Sequence, residues 1–172
     1  MKVLIVVDYQ NDFVDGALGF KGADSIEKEI IRLVREFKAN GDLVIFTKDT
    51  HEEDYMNTVE GHHLPAPHCI RGSKGHDITP NLKKEVGDSV VIEKPTFPSL
   101  SLGNELSKLN PTEIHLCGLV SDICVFSNAV IAKAACPNVE IYIHRLASES
   151  YDHEMQEKTY EVAAHLHINI ID

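Results

Sequence analysis

The segment EIHLCGLVSDICVFSNAVIAKAA, which runs from Glu113 to Ala135, joins a predicted buried strand to a predicted helix and decides the fold class. Its first part, EIHLCGL, is a short apolar run of the kind that forms a strand in a parallel sheet. In its second part, apolar residues recur near helical spacing at Ile123, Phe126, Val130 and Ala134. The segment is therefore predicted to be a strand followed by a helix, with Cys124 in the first turn of that helix.

The same alternation of strand and helix continues on both sides of this segment. Further strands are predicted at KVLIVVD, LVIFTKD, SVVIEK, NVEIYIH and INIID. Helices are predicted at DSIEKEIIRLVREFKANG, ITPNLKKEV, SLGNELSKL and DHEMQEKTYEVAAHL, the first capped by Asp24 and the last by Asp152. Residues 49–77 are predicted to form a long polar loop. This order predicts one α/β domain over residues 1–172, a three-layer open parallel sheet with helices on both faces and a Rossmann-like architecture.

The composition and charge of the 172 residues limit the classes of protein to which the chain can belong. Its 27 acidic and 16 basic residues give a formal net charge of −11, which argues against nucleic-acid binding because phosphate backbones attract clustered Lys and Arg. No apolar run approaches the roughly 20 residues of a membrane span, and Val3–Val7 is too short for a signal peptide. We therefore expect a cytoplasmic protein with no nucleic-acid or membrane partner, and four reduced cysteines.

Ionisable side chains stand at the carboxyl ends of four predicted strands. Asp8 ends the first strand, Asp49 and His51 follow the second, Lys94 ends the third and Cys124 follows the fourth. Sites in open α/β sheets form at this edge of the sheet, so we expect these side chains to lie close together.

The residues Asp8, Lys94 and Cys124 are together suited to nucleophilic catalysis. The N-terminus of a helix favours a thiolate at Cys124 and offers N–H groups to an oxyanion. A nearby lysine would favour the thiolate further, and a nearby aspartate would accept the proton. Taken singly, each residue has an ordinary structural interpretation: a core thiol, a solvated loop lysine and a turn aspartate. Position alone leaves both interpretations open.

A second group of residues, Asp49, His51 and His68, has the composition of a metal site. The spacing Asp-x-His puts two ligands on the same side of an extended segment, and His68 would return from the long loop. One carboxylate and two imidazoles suit zinc, manganese or iron. The alternative is a cluster of surface histidines without a metal.

Five motifs occur in the order and with the content found in one known family. VVDYQNDF, TKDTH, PHCIRGSKG, EKPTFPS and GLVSDICV resemble the motifs of the isochorismatase-like cysteine hydrolases and, within them, of the nicotinamidases. The resemblance spans nearly the whole chain. It implies an isochorismatase-like hydrolase fold and an enzyme that hydrolyses the C–N bond of a linear carboxamide.

The resemblance also implies roles for the residues at the strand ends. Asp8 would be the general base, Lys94 its electrostatic partner and Cys124 the nucleophile. A cis peptide bond between Val120 and Ser121 would direct the N–H groups of Val120 and Cys124 at the oxyanion. The implied reaction converts nicotinamide to nicotinate and ammonia through a thioester, as a step of NAD salvage, and pyrazinamide would also be accepted. Members of the family often self-associate, so a homo-oligomer is left open.

For the metal, the resemblance implies that Asp49, His51 and His68 hold an ion, most often zinc, that orients the pyridine nitrogen. Some members of the family add a fourth ligand from the intervening loop. Glu60 is the candidate here, and His62 and His63 are its competitors.

The implied substrate contacts are Phe13, Gln10 and Phe97, and the chain departs from the family pattern beside them. Many nicotinamidases have an aromatic residue three positions before the histidine that corresponds to His68. This chain has Pro65 there and no tryptophan at all, so Tyr55 or Leu64 is expected to supply the wall beside the ring.

Two other functions remain open at this point. One is a cysteine hydrolase of the same family that acts on another small amide, ureide or carbamoyl compound, with the histidines incidental. The other is a noncatalytic metal-binding or redox protein in which Cys117 and Cys124 respond to oxidants.

Overall fold

The computed structural model describes residues 1–172 and contains one sheet of six strands. The strands are β1 (Lys2–Val7), β2 (Leu43–Asp49), β3 (Val90–Lys94), β4 (Glu113–Leu119), β5 (Glu140–Glu149) and β6 (Ile168–Ile171). Their order across the sheet is β3-β2-β1-β4-β5-β6, and all five neighbouring pairs are parallel. The predicted fold class, an open parallel sheet between helices, is confirmed.

Seven α-helices connect or follow these strands. They are α1 (Asn11–Val14), α2 (Glu27–Ala39), α3 (Val59–His63), α4 (Pro80–Val86), α5 (Leu100–Leu109), α6 (Phe126–Ala135) and α7 (His153–His165). A 3-10 turn covers Tyr55–Asn57, and a π-helical turn covers Ser121–Val125. No helix is long and apolar enough to cross a membrane.

Of the two predicted helix caps, one is confirmed and one is wrong. Asp152 caps α7, because its carboxylate accepts a hydrogen bond from the Met155 N–H at 2.9 Å. The prediction for Asp24 is wrong: α2 begins only at Glu27, the residue before it is Ile26, and no side chain caps it. Residues 21–26 form turns instead, so the helix starts two residues later than a cap at Asp24 would give.

The core consists of two apolar layers, one on each face of the sheet. Alternate residues of β1 divide between them, because successive side chains of a strand point to opposite faces. Leu4 and Val6 pack with α2 and α4 on one face, and Val3, Ile5 and Val7 pack with α5, α6 and α7 on the other. The central strands are therefore buried on both sides, as their continuous apolar sequences predicted.

The strand order reverses direction between β1 and β4, which is where ligand sites form in sheets of this kind. These two strands approach each other closely at Gly118, whose φ is +117°. A Cβ atom on Gly118 would lie 2.0 Å from the Val7 carbonyl oxygen, so only glycine fits. The carboxyl ends of β1 and β4 thus open a crevice that is bounded by the residues after Val7 and after Leu119.

Candidate active site

Lys94 lies at the centre of the group formed by Asp8, Lys94 and Cys124. Its Nζ is 2.6 Å from Asp8 Oδ2 and 3.7 Å from Cys124 Sγ. It also donates a hydrogen bond to the Thr96 carbonyl at 3.0 Å and lies 3.5 Å from Asp49 Oδ1. The structure therefore brings together the three side chains that the sequence placed at three separate strand ends.

The Lys94 side chain is completely buried, although its strand lies at the edge of the sheet. Burial by itself lowers the pKa of a lysine, but the negative partners Asp8, Cys124 and Asp49 outweigh it and raise the pKa of Lys94 above its ordinary value. Lys94 is therefore a permanent positive charge in the crevice. The alternative of a solvated loop lysine is excluded.

Asp8 is held in a fixed and unusual backbone conformation at the end of β1. Its φ is +46°, a left-handed value that few residues other than glycine adopt. The Thr47 hydroxyl donates a 2.7 Å hydrogen bond to Asp8 Oδ1, and Lys94 contacts the other carboxylate oxygen. Burial raises the pKa of Asp8 above its ordinary value, against the opposing effect of Lys94. Asp8 is consequently a stronger base than an exposed aspartate.

Cys124 lies in the π-helical turn that connects β4 to α6, and only 4% of its surface is exposed. The Val125 N–H bonds back to the Val120 carbonyl at 3.1 Å, which closes the wide turn. The burial of this side chain opposes the thiolate that the helix N-terminus was expected to favour. Burial, together with the carboxylates of Asp8 and Asp49, raises the pKa of the Cys124 thiol well above its usual range despite Lys94.

The peptide bonds before this turn differ from the expectation in one respect. The cis peptide bond joins Leu119 to Val120, one residue earlier than the motif implied. Val120 lies between β4 and the turn, and its N–H takes part in none of the backbone hydrogen bonds of that region.

A residue that the sequence did not single out, Asn128, holds this turn in place. Its fully buried side-chain amide donates to the Cys124 carbonyl at 2.8 Å and to the Phe97 carbonyl at 3.0 Å. Its carbonyl oxygen accepts from the Ser99 N–H at 3.0 Å. Asn128 follows Cys124 by four residues on the buried face of a helix, and a polar residue at that position was the signal that could have found it.

Asp49, His51, Glu60 and His68 form the second cluster, and one ligand atom from each lies within 4.8 Å of the others. Asp49 ends β2, Glu60 lies on α3 and His68 lies on the segment that returns to the sheet. His51 pairs with Ile70 as a short parallel bridge, which fixes this segment beside the strand end. The competitors His62 and His63 are exposed and lie outside the cluster.

The separations between these atoms fit one bound divalent metal ion. His51 Nε2 and His68 Nε2 are 2.9 and 3.2 Å from Asp49 Oδ2 and 3.5 and 3.6 Å from Glu60 Oε1. Four donors around a tetrahedral zinc ion lie about 3.3–3.5 Å from one another. The His68 Nδ1 bonds to the Ala66 carbonyl at 2.8 Å, so Nδ1 carries the proton and Nε2 is free to bind a metal. The donor set and its geometry make a divalent metal plausible.

The charges of the two clusters are linked through Asp49. Hydrogen bonds from His51 and His68 and the charge of Lys94 hold the pKa of Asp49 below its ordinary value, although burial opposes them. Burial and the neighbouring Asp49 raise the pKa of Glu60. Two carboxylates and two histidines in one half-buried space attract a cation strongly.

Both clusters open into one largely apolar cavity of about 360 Å³. Its floor includes Asp49, Glu60, His68 and Cys124. Its walls are mostly aromatic and aliphatic: Phe13, Leu18, Phe20, Leu64, Phe97, Val120, Ile123 and Tyr151. An apolar cleft with a few convergent polar groups is the usual form of a small-molecule site.

Of the three residues expected to contact the substrate, two line the cavity and one does not. Phe13 and Phe97 line the cavity, but Gln10 does not. The Gln10 side chain is fully buried and forms three hydrogen bonds with backbone groups, two to Asp49 and one to the His76 carbonyl, at 2.7–2.9 Å. The assignment of Gln10 to substrate binding is therefore corrected: its polar atoms are used in fastening β2 to the long loop.

The wall expected near Pro65 comes from Leu64 and not from Tyr55. Leu64 lines the cavity, and 38% of its surface is exposed. The Tyr55 ring packs edge-on against His51 and His68, with ring centroids 4.7 and 5.1 Å apart, and its hydroxyl donates to the Leu64 carbonyl. Tyr55 thus packs against the two histidines without lining the cavity. Leu18, Phe20 and Tyr151 were not predicted as wall residues, because they come from distant loops.

Comparison with known proteins relates the whole chain to one family. Residues 2–172 match the model of the isochorismatase domain. A Bacillus subtilis relative, described as the uncharacterized isochorismatase family protein PncA, is 37% identical over 166 residues, covering 89% of this chain and 88% of the relative.

Solved structures agree in fold over nearly the full length. The crystal structure of nicotinamidase PncA from Bacillus subtilis has a TM-score of 0.88 at 30% identity and covers 99% of both chains. The pyrazinamidase of Pyrococcus horikoshii, solved in complex with zinc, has a TM-score of 0.86 at 27% identity and covers 99% of this chain and 98% of its own.

Proposed function

The chain belongs to the isochorismatase family, and we propose that it hydrolyses nicotinamide to nicotinate and ammonia with the help of a bound divalent metal ion. One observation carries the proposal: Asp49, Glu60 and His68, three of the four residues of the second cluster, line the same apolar cavity as Cys124. Nicotinamide has the matching chemistry, since it carries a ring nitrogen that binds metals and a carboxamide two ring atoms away. Pyrazinamide shares both features.

The first half of the reaction uses Asp8, Lys94 and Cys124. Asp8 accepts the thiol proton as Cys124 Sγ attacks the carboxamide carbon, so that a C–S bond forms. We assign the N–H groups of Val120 and Cys124 to the oxyanion. Asp8 returns the proton to the leaving nitrogen, the C–N bond breaks and ammonia departs, leaving a thioester. Lys94 keeps Asp8 in position and balances its negative charge when the thiol proton has not yet moved.

The second half of the reaction hydrolyses the thioester by the same groups. Asp8 accepts a proton from a water molecule, whose oxygen attacks the thioester carbon. The C–S bond then breaks, the proton returns to Cys124, and nicotinate is released. The base and the nucleophile end in their starting states, as catalysis requires.

The metal, when bound, supplies an electrophile that binds the ring nitrogen and fixes the orientation of the ring. We propose zinc, because two histidines and two carboxylates at these separations suit it and because the pyrazinamidase of Pyrococcus horikoshii was solved with zinc. Phe13 and Phe97 would contact the faces or edges of the ring. NAD salvage, a cytoplasmic location and a homo-oligomer stay predictions.

The test is ammonia release from nicotinamide by the purified protein, before and after exhaustive chelation. We expect release that is lost with the metal and restored when zinc is added. Benzamide is the matched control substrate: it lacks the ring nitrogen and should be hydrolysed at least about tenfold less efficiently. Hydrolysis that is insensitive to chelation and equal for the two amides would contradict the proposal and favour a family member acting on another small amide.

A further inference from the structure

We propose that this enzyme also hydrolyses nicotinamides that carry an apolar group, as large as a phenyl ring, at ring position 5, and that it rejects the same group at position 6. The inference rests on the proposed function, because it assumes that the ring nitrogen and the carboxamide occupy the two clusters. It concerns the part of the cavity that nicotinamide itself does not fill.

The two clusters determine which ring atoms face the floor of the cavity. If nicotinamide binds as proposed, its nitrogen, position 1, is at the cluster that includes Asp49, Glu60 and His68, and its position 3 holds the carboxamide near Cys124; all four residues line the cavity. Position 2 is the ring atom between the nitrogen and the carbon that carries the carboxamide. It therefore faces Lys94, whose side chain is completely buried. Position 6 is bonded to the nitrogen and lies against the metal cluster. Position 5 is the ring atom directly opposite position 2.

The end of the cavity opposite its floor, its mouth, is an opening to solvent that is lined by apolar side chains. Leu64 and Phe97 are 38% and 40% exposed while lining the cavity, and Tyr151 is 62% exposed. Phe20 packs edge-on against Tyr151 with ring centroids 5.9 Å apart, which gives one side of the mouth an aromatic surface. A substituent at position 5 would leave the floor and lie between these side chains.

The size of the cavity matches a ligand larger than nicotinamide. Its volume of about 360 Å³ falls in the range of clefts that hold drug-sized molecules, roughly 300–1,000 Å³. Nicotinamide is one ring with one carboxamide and leaves the outer part in contact with water. A phenyl group there would bury apolar surface of Leu64, Phe97 and Tyr151, which is favourable by about 25 cal/mol per Å².

The chemistry of the mouth favours apolar over anionic groups. Asp122 lies close enough to Tyr151 to raise the pKa of its phenol, although burial is the larger cause. Glu60 lines the inner part of the cavity. A negatively charged substituent in the mouth would lie near Asp122, whereas an uncharged aryl or alkyl group would contact aromatic and aliphatic side chains.

The experiment compares 5-phenylnicotinamide with its isomer 6-phenylnicotinamide on the metal-loaded enzyme, with nicotinamide as reference. The isomers have the same size, and neither phenyl group is adjacent to the carboxamide. We expect kcat/KM for the 5-isomer within about tenfold of nicotinamide and for the 6-isomer at least about 100-fold lower. Absence of nicotinamide hydrolysis would contradict the proposed function. Hydrolysis of nicotinamide with equal rejection of both isomers would overturn only the present inference.

A pair of matched variants tests whether the mouth is responsible. Leu64→Trp adds a large side chain at the rim, and it should lower the ratio of kcat/KM for the 5-isomer to that for nicotinamide at least about tenfold. Leu146→Trp is the same substitution at an exposed position of β5 that does not line the cavity, and it should leave the ratio unchanged. An unchanged ratio in Leu64→Trp would show that the substituent does not pass Leu64.

Discussion

At the scale of single residues, Lys94 determines how the other polar groups of the crevice are charged. It contacts Asp8, Asp49 and Cys124 from a position with no access to water. An isolated buried ammonium would be costly, and the carboxylates offset that cost. Burial, and after it the same carboxylates, raises the pKa of the Cys124 thiol above its usual range, and for this reason the proposed mechanism gives Asp8 the role of accepting the thiol proton.

Replacing Cys124 by alanine should abolish turnover and leave the fold intact. We expect a fall in kcat of at least about 10³-fold, and the double variant Asp8→Asn with Cys124→Ala should lose little more, because the residues act as a unit. Steady-state ammonia release measures this. Cys136→Ala removes another buried thiol, outside the site, and should keep full activity. Substantial residual turnover in Cys124→Ala would refute the assignment of Cys124 as the nucleophile.

A pair of buried histidines outside the site predicts how stability depends on pH. His144 Nε2 lies 3.0 Å from His115 Nδ1, and burial, His115 and Arg32 lower the pKa of His144 to about 4. Glu29 opposes this shift. The unfolded chain therefore binds the proton more tightly than the folded one. Neutral His144 makes its full contribution to the free energy of unfolding above about pH 6.5, and this contribution is lost as the pH falls towards 4.

The variant His144→Gln should therefore reduce the fall in Tm between pH 7 and pH 5, an interval over which His144 lowers the free energy of unfolding of the wild type by up to about 2 kcal/mol. Thermal unfolding at several pH values measures it. His165→Gln changes an exposed histidine of α7 and should keep the wild-type slope. An identical slope in both variants would show that His144 does not contribute.

At the scale of elements, the π-helical turn and α6 are positioned by one side chain. Asn128 bonds to the Cys124 carbonyl, to the Phe97 carbonyl and to the Ser99 N–H, and so connects the nucleophile to the segment before α5. Ser99 also caps α5 through the Leu102 N–H at 3.1 Å. The wall residue Phe97 and the proposed nucleophile Cys124 are thus parts of one hydrogen-bonded unit.

Asn128→Ala should damage catalysis as well as stability. Loss of a buried, fully used amide costs about 1–3 kcal/mol of unfolding free energy. Because the Cys124 carbonyl is released, kcat should fall about tenfold or more even at temperatures where the variant is fully folded. Steady-state kinetics at low temperature, with circular dichroism to confirm folding, separates the two effects. A variant that is less stable but has wild-type kcat would mean that Asn128 only supports the fold.

At the scale of the whole molecule, the metal cluster joins parts of the chain that are otherwise connected by loops. The residues of this cluster come from β2 and the residues just after it, from α3 and from the segment that contains His68. An ion that binds only the folded chain stabilises it, by about 4 kcal/mol at 1,000 times its dissociation constant. A bound ion should stabilise the long segment between β2 and α4 most, because this segment has little regular structure of its own.

Metal removal should therefore lower Tm by several degrees, at about 2–4 °C per kcal/mol for a chain of this size. Differential scanning calorimetry with and without chelator measures the shift, and metal analysis gives the content. Glu60→Ala should weaken zinc binding and reduce the shift. The matched control His62→Ala removes an exposed histidine of the same helix and should change neither; loss of metal in that variant would make His62 the ligand in place of Glu60.

The sequence by itself determined the fold class and the polar side chains that stand at the strand ends, because both depend on local patterns. Continuous apolar runs identified all six strands, and the strands β2 and β4 have the predicted bounds. Polar residues at strand ends identified Asp8, Asp49, Lys94 and Cys124, since parallel strands end at one edge of a sheet. The start of α2 and the cis peptide bond at Leu119–Val120 were misplaced, because turn contacts and not periodicity decide them.

Only the tertiary structure decided what each of these side chains does. Glu60 rather than His62 joins the cluster, the side chain of Gln10 is hydrogen-bonded to backbone groups, and burial raises the pKa of the Cys124 thiol. Each outcome depends on burial and on distances between residues far apart in the chain. A sequence records which groups are available at the strand ends. Their orientation, hydration and mutual charge exist only when the chain is packed, and these properties set the chemistry of the site.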